Sequence, residues 1–138
     1  MSSRTLPPEL VGIDVGSGRR TRLGRVETID AAGSATLRMG RTPAGTYWLV
    51  DRGAFVAVGP AAGTVRVLVY NGPGLTDDNI EDFADIAVGA VQVTVRAIGE
   101  WNPPIWIPPG GELTVVFEGC VAATQAQVRA VARQLPNV

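Results

Sequence analysis

Two glutamates at the ends of one apolar segment form the pair in this chain that most resembles a hydrolytic acid and base. Glu112 and Glu118 enclose residues that alternate between apolar and polar at the period of a β-strand. Six residues of strand span about 20 Å, whereas the two carboxylates of a glycosidase lie about 5 to 10 Å apart. The spacing therefore excludes this pair as a glycosidase site.

Carboxylates are also concentrated in residues 75–85. The oxygen-bearing side chains there are Asp77, Asp78, Asn79, Glu81, Asp82 and Asp85. Such hard ligands suit calcium, but the segment lacks the glycine and the terminal bidentate glutamate of an EF-hand loop. We interpret it as an exposed acidic connection with one helical turn, anchored by Ile80 and Phe83. Calcium binding is the alternative.

The chain contains no histidine, and its 12 basic residues are all arginine. This composition excludes a Ser-His-Asp triad, a Cys-His pair, a histidine zinc site and a Schiff-base lysine. Gly16-Ser17-Gly18 is followed by arginines rather than by the lysine of a phosphate-binding loop. The sequence therefore predicts a protein that is not an enzyme, with no catalytic residue, no cofactor and no metal.

The single cysteine, Cys120, cannot form a disulfide within the chain. A lone cysteine in a chain of this kind is typically a buried thiol that packs as a small apolar residue. We expect Cys120 to be buried and unreactive.

Positive charge is concentrated near the amino terminus. Residues 1–44 carry seven arginines and four carboxylates, whereas residues 45–138 carry five arginines and nine carboxylates. The candidate contact residues are Arg19, Arg20, Arg22 and Arg25. They lack the interleaved aromatic residues that stack on bases, so nucleic acid is not the expected partner. The acidic face of another copy or of a partner protein is preferred, and a solvated basic loop is the alternative.

The three tryptophans differ in their surroundings. Trp48 lies within an apolar segment and is expected in the core. Trp101 and Trp106 lie beside proline pairs, and we expect them at the margin of a sheet. There they would contact another protein, stack on a sugar ring, or pack at the edge of the core.

Residues 1–23 are predicted to form an extended arm, because Pro7-Pro8 forces extended backbone and several glycines follow. We expect the arm to reach along a neighbouring subunit. Residues 24–138 form the predicted β-sandwich domain. No apolar run has the length of a signal peptide or a membrane helix, so we expect a soluble protein that is made in the cytoplasm and does not contact a membrane.

Short apolar segments separated by glycine and proline continue to the end of the chain. The predicted strands are 24–30, 35–39, 46–51, 54–58, 64–70, 91–98, 105–107, 112–118 and 124–133. The first two are expected to form a hairpin across residues 31–34. Residues 124–133 also fit a helix, but their neighbours favour a strand. Eight or nine short strands predict an all-β fold, either a single β-sandwich or a jelly roll.

Four segments together resemble small β-sandwich virion proteins encoded by tailed phages of actinobacteria. They are Trp48-Leu-Val-Asp-Arg52, Arg66-Val-Leu-Val-Tyr-Asn-Gly72, Phe83-Ala-Asp85 after the acidic connection, and Ile105-Trp-Ile-Pro-Pro-Gly-Gly-Glu-Leu-Thr-Val115. The resemblance covers roughly residues 45–132 and is one of pattern. It implies a structural protein that assembles as a multimer on a particle and has no active site. The chain departs from the pattern in its longer arginine-bearing amino segment and in Cys120.

The expected function is therefore a non-enzymatic structural component of a tailed-phage virion, as a capsid decoration, minor capsid or tail accessory protein. Its expected partners are other copies of itself, as a trimer or ring, and virion proteins such as the major capsid or tail protein. It would be made in the bacterial host and reside in the virion. The alternative is a carbohydrate-binding or host-surface module that contacts glycans through Trp101 and Trp106.

Overall fold

The computed structural model describes residues 19–72 and 74–137. Its strands are β1 (Arg19–Thr28), β2 (Ala35–Arg41), β3 (Thr46–Gly59), β4 (Thr64–Tyr70), β5 (Ile80–Ala87), β6 (Val93–Ile107), β7 (Glu112–Glu118) and β8 (Gln125–Pro136). A short 3₁₀ turn, Asp77–Asn79, precedes β5. No helix in this part of the chain is long and apolar enough to span a membrane.

The strands form two four-stranded sheets. Sheet A has the order β1-β8-β3-β6 and sheet B the order β2-β7-β4-β5, and all paired strands are antiparallel. Strand pairs β1–β8, β2–β7, β3–β6 and β4–β5 nest within one another along the chain, which is the connectivity of a jelly roll. The predicted all-β sandwich is confirmed.

The core lies between the two sheets and follows the period-two pattern of the strands. In β4, Val65, Val67 and Val69 face inward and are buried, while Arg66 between them faces solvent. Each such apolar side chain stabilises the fold by about 1.5–3 kcal/mol relative to an exposed position. Trp48 is buried in the same cluster, as predicted.

The predicted hairpin of the first two strands is wrong. β1 pairs with β8 in sheet A and β2 pairs with β7 in sheet B, so the intervening turn carries the chain from one sheet to the other. That turn is held by Asp30, whose Oδ1 accepts hydrogen bonds of 2.9 Å from the backbone N–H groups of Ala32 and Ser34. The turn chemistry was visible in the sequence, but the sheet to which each strand belongs was not.

Two pairs of predicted strands are single strands in the structure. Residues 46–51 and 54–58 are joined in β3, where the register shifts between Val50 and Arg52 and Asp51 is accommodated as a bulge. Residues 93–107 run continuously as β6, through Pro103 and Pro104. β6 pairs only with β3, and an edge strand tolerates proline because it has one unpaired side.

The acidic segment was predicted as a connection, but most of it is a strand. The predicted helical turn is limited to Asp77–Asn79, and β5 begins at Ile80. Phe83 does not anchor the segment to the core, because it lies opposite Leu68 on the outer face of sheet B and is 51% exposed. Glu81, Asp82 and Asp85 are therefore residues of an edge strand.

The ends of the chain bear on two further predictions. Residues 124–133 lie in β8, so the preference for a strand over a helix is confirmed. β1 begins at Arg19, so residues 19–23, which were assigned to the arm, belong to sheet A. The rest of the predicted arm, residues 1–18, lies outside the described residues.

Candidate functional site: the oppositely charged edges

The sandwich has two lateral sides with different charge. We call the side formed by β1 and β2 the basic edge. The opposite side is formed by β5 and β6, and we call its β5 part, with the preceding 3₁₀ turn, the acidic edge. The basic edge carries Arg19, Arg20, Arg22, Arg25, Arg38 and Arg41 with one carboxylate of its own, Glu27, and Arg38 is also paired with Glu112 of β7. The acidic edge carries Asp77, Asp78, Glu81, Asp82 and Asp85 with no arginine of its own. Of these carboxylates, Asp85 is paired with Arg66 of β4 and Asp82 points inward to Trp101. Because β1 and β5 end opposite sides of their sheets, the two charges are separated by the width of the sandwich.

The register of β1 divides its four predicted contact residues between two faces. Arg20 lies opposite Arg133, and Gly24 lies opposite Arg129. Arg20 and Arg22 therefore share the outer face of sheet A with the arginines of β8. Arg19 and Arg25 project from the other face of the strand, and Arg25 forms a 2.7 Å ion pair with Glu27.

A groove runs over the outer face of sheet A beside β1, with a volume of about 710 Å³. We call it the arginine groove. It is lined by Arg22, Arg25, Arg52, Arg129, Gln127, Leu23, Gly24, Val26, Ala54, Ala130 and Val131. The lining thus combines the side chains of Arg22, Arg52 and Arg129 with small and apolar residues, and includes no carboxylate. Arg25 borders the groove from the other face of β1, where it is paired with Glu27. Arg22 and Arg25 are among the contact residues predicted from the sequence, whereas Arg52 and Arg129 come from β3 and β8, which are distant along the chain.

Two interactions restrain arginines of the groove. Arg129 Nε donates to the carboxamide oxygen of Gln127 over 3.0 Å when that amide is oriented to satisfy both groups. Arg52 lies 3.4 Å from Glu100, and both side chains are about two-thirds exposed, so this ion pair contributes little. The groove is therefore a positively charged surface with an apolar component.

The carboxylates of the acidic edge are held by separate partners. Asp85 accepts hydrogen bonds of 2.7 and 3.1 Å from Arg66, which lower the pKa of that carboxyl. Glu81 accepts from Asn71 Nδ2 over 2.6 Å. Within residues 19–72 and 74–137, no three acidic, histidine or cysteine side chains converge as metal ligands do. The calcium alternative gains no support from this arrangement.

An apolar side chain is exposed beside these carboxylates: Phe83 is 51% exposed. Ile98 of β6 is 74% exposed, but it lies opposite Ala54 on the outer face of sheet A and so points to the other side of the sandwich. Phe83 lies opposite Leu68 and Asp85 opposite Arg66, so Phe83 and Asp85 share the outer face of sheet B. This face therefore presents an apolar ring next to an ion-paired carboxylate.

Trp101 is not at the surface, which corrects its assignment as an interface or glycan residue. It is 4% exposed, and its ring packs edge-on against Phe55 at a centroid distance of 6.3 Å. Gly53 and Gly99 make room for the indole, since a Cβ at either position would lie within 3 Å of it. Gly53 and Gly99 are the sequence features that indicate a large buried ring, but their relation to Trp101 becomes visible only in the paired strands.

Trp106 is half-buried on the outer face of sheet A. It packs against a small apolar cluster of Tyr47, Leu49 and Leu135. Its Nε1 is buried and has no hydrogen-bond partner among the described residues. The ring therefore packs on its own apolar cluster.

Glu112 has a structural role that sequence analysis did not identify. It is buried, and its carboxylate accepts from Arg38 over 2.8 Å, with Arg41 at 4.0 Å. Thr114 Oγ1 lies 3.4 Å from the same oxygen. Glu112 thus fastens the edge strand β2 to β7. The position of Glu112 as the first residue of an otherwise apolar strand is the sequence feature that indicates such a role.

Cys120 is buried, as predicted. Burial raises the pKa of its thiol, which disfavours the nucleophilic thiolate. The geometry therefore offers no activated cysteine.

No family model matches this chain, and neither does any curated protein sequence. Among solved structures, it is similar to a Bacillus endospore appendage pilus protein, at 13% identity over 87% of this chain and 88% of that one, with a TM-score of 0.45. The virus-like particle of Macrobrachium rosenbergii extra small virus matches at 13% identity over 97% and 92%, TM-score 0.40. TmCBM61 in complex with β-1,4-galactotriose matches at 14% identity over 97% and 99%, TM-score 0.36. Likenesses this distant carry no information on function.

Proposed function

We propose that this chain is a non-enzymatic structural component of a tailed-phage virion, held in the particle by contacts between subunits. The observation that carries the proposal is the charge separation between the basic and acidic edges. Charged edge strands resist pairing with like edges and favour partners of opposite charge. A role through protein contacts is therefore better supported than a role through a reaction.

Composition and pattern support the same proposal. Residues 45–132 resemble virion sandwiches of actinobacterial phages, and the chain lacks both histidine and lysine. The carboxylates in the described strands that have polar partners are bound to arginine, amide, indole, hydroxyl or backbone N–H groups. It would act as a capsid decoration, minor capsid or tail accessory protein, in contact with a major capsid or tail protein.

The alternative, glycan binding through Trp101 and Trp106, has weaker support. A sugar-stacking site needs exposed aromatic faces, whereas Trp101 is in the core and Trp106 packs on its own cluster. Glycan binding would have to use other residues.

Mass spectrometry of gradient-purified particles tests the proposal. Particles of the phage that encodes this chain are banded by density, and the chain is quantified against the major capsid protein. We expect it to band with the particles in a fixed ratio through repeated purification. Recovery of the chain only in the soluble fraction, with particles otherwise of normal composition, would overturn the proposal.

A further inference from the structure

We propose that copies of this chain bind head to tail, with the acidic edge of one copy docked in the arginine groove of the next. The inference rests on the proposed function only in that a structural subunit needs contacts with its neighbours. It names a second copy as the partner.

Charge decides which edges can meet. Two β1 strands brought together would place arginines opposite arginines, and two β5 strands would place carboxylates opposite carboxylates. Like charges directly opposite each other destabilise a contact, whereas opposite charges stabilise it. Contact between β1 and β5 of different copies is therefore the pairing of charged edges that attracts.

Apolar residues on the two surfaces are complementary as well. The acidic edge presents the half-exposed ring of Phe83 on the outer face of sheet B, beside Asp85. The arginine groove contains Gly24, Val26 and Ala54 between its arginines, and Val26 is itself exposed. An aromatic side chain placed in a small apolar groove with charges at its margin is the usual arrangement of an energetically important contact.

The position of the two surfaces determines the kind of assembly. β1 and β5 lie on opposite lateral sides of the sandwich, so one copy can use both surfaces at once. A contact between two different surfaces is heterologous, and it closes into a ring when the rotation between copies permits. This geometry fits the ring expected from the sequence.

Sedimentation velocity on the full chain tests the contact. We expect the wild-type protein to associate, and added salt to weaken the association. Arg129→Glu in the groove and Phe83→Ser on the acidic edge should each raise the dissociation constant at least tenfold. Arg96→Glu is the matched control: it makes the same charge change on the same face of sheet A, but outside the groove. It should retain association, and circular dichroism should show that all variants are folded.

A mixing experiment separates this contact from a symmetric one. The Phe83→Ser variant retains an intact groove, and the Arg129→Glu variant retains an intact acidic edge. An equimolar mixture should therefore form a one-to-one dimer at concentrations at which each variant alone remains monomeric. Monomers in the mixture, or variants that associate like the wild type, would overturn the proposal.

The remaining outcomes distinguish other occupants and the proposed function itself. A wild-type chain that stays monomeric but binds a double-stranded oligonucleotide, and loses it on Arg129→Glu, would show that the groove takes a polyanion and would overturn self-association. A monomeric chain that is nevertheless found in purified particles would reject the head-to-tail contact and leave the proposed function standing. A self-associating chain that is absent from particles would reject the proposed function and leave the head-to-tail contact standing.

Discussion

Trp101 Nε1 donates a 2.8 Å hydrogen bond to Asp82 Oδ2, and this bond joins the edge strand β6 of sheet A to the edge strand β5 of sheet B. It closes the lateral side of the sandwich that carries the acidic edge. It also fixes the carboxylate of Asp82 toward the core. The bond explains why a tryptophan beside two prolines is internal, since its polar atom is satisfied by the opposing sheet.

Replacement of Trp101 by Phe should lower the free energy of unfolding by about 1.5–3 kcal/mol for the lost hydrogen bond to a charged group, and by a further amount for the cavity left by the smaller ring. Asp82→Asn keeps an acceptor oxygen and should cost less. Urea denaturation of the two variants measures both effects. Equal stability of Trp101→Phe and the wild type would show that the bond between the sheets contributes nothing.

Gly99 should not tolerate a side chain. A Cβ there would lie 2.5 Å from the indole of Trp101, so Gly99→Ala should cost about 1–3 kcal/mol through overpacking. Gly89→Ala is the control, because no atom lies within 4 Å of its Cβ position; it should be neutral or stabilising by up to about 1 kcal/mol. Thermal denaturation compares them, and similar melting temperatures would contradict this account of the Trp101 site.

Because Glu112 is buried, loss of its arginine partner should destabilise the fold more than loss of an exposed ion pair does. Arg38→Ala leaves a buried carboxylate without its nearest cation and should cost about 1–3 kcal/mol. Arg52→Ala breaks an exposed pair with Glu100 and should cost less than about 1 kcal/mol. Glu112→Gln added to Arg38→Ala should recover part of the loss, because a neutral amide is cheaper to bury. Chemical denaturation that shows no recovery would contradict the charge-based explanation.

Acid should weaken the fold partly through Asp85, whose pKa is lowered by its hydrogen bonds to Arg66. A carboxyl with a lowered pKa stabilises the folded state above the pKa of the unfolded chain, about 3.9 for aspartate. That contribution is lost as the pH falls through the folded-state value. Unfolding measured from pH 6 to pH 2.5 should therefore show a smaller loss of stability below about pH 4 for Asp85→Asn than for the wild type. An equal loss of stability in the two proteins over this pH range would contradict the contribution of Asp85.

The fold could be predicted wherever local periodicity was strong. Residues 64–70 and 112–118 alternate cleanly and match β4 and β7 to the residue. The hairpin error arose because pairing of β1 with β8 joins segments about 100 residues apart, and no local pattern encodes that register. The bulge at Asp51 and the proline-containing part of β6 were read as strand ends for the same reason: both are interruptions that only neighbouring strands can bridge.

The candidate site was predictable only in part. The charge of β1 was visible in Arg19, Arg20, Arg22 and Arg25. Its extension into a groove was not, because Arg52 and Arg129 reach the same face through β3 and β8. Exposure of Phe83 could not be predicted from its residue type, because it depends on the register that places it opposite Leu68 on the outer face of sheet B.

A cryo-electron microscopy reconstruction of the phage particle tests the central claim most directly. The account predicts density for this sandwich in several symmetry-related copies, with Phe83 of one copy against Arg129 of the next. Particles without this density, or isolated copies whose acidic edge and arginine groove both face solvent, would contradict it.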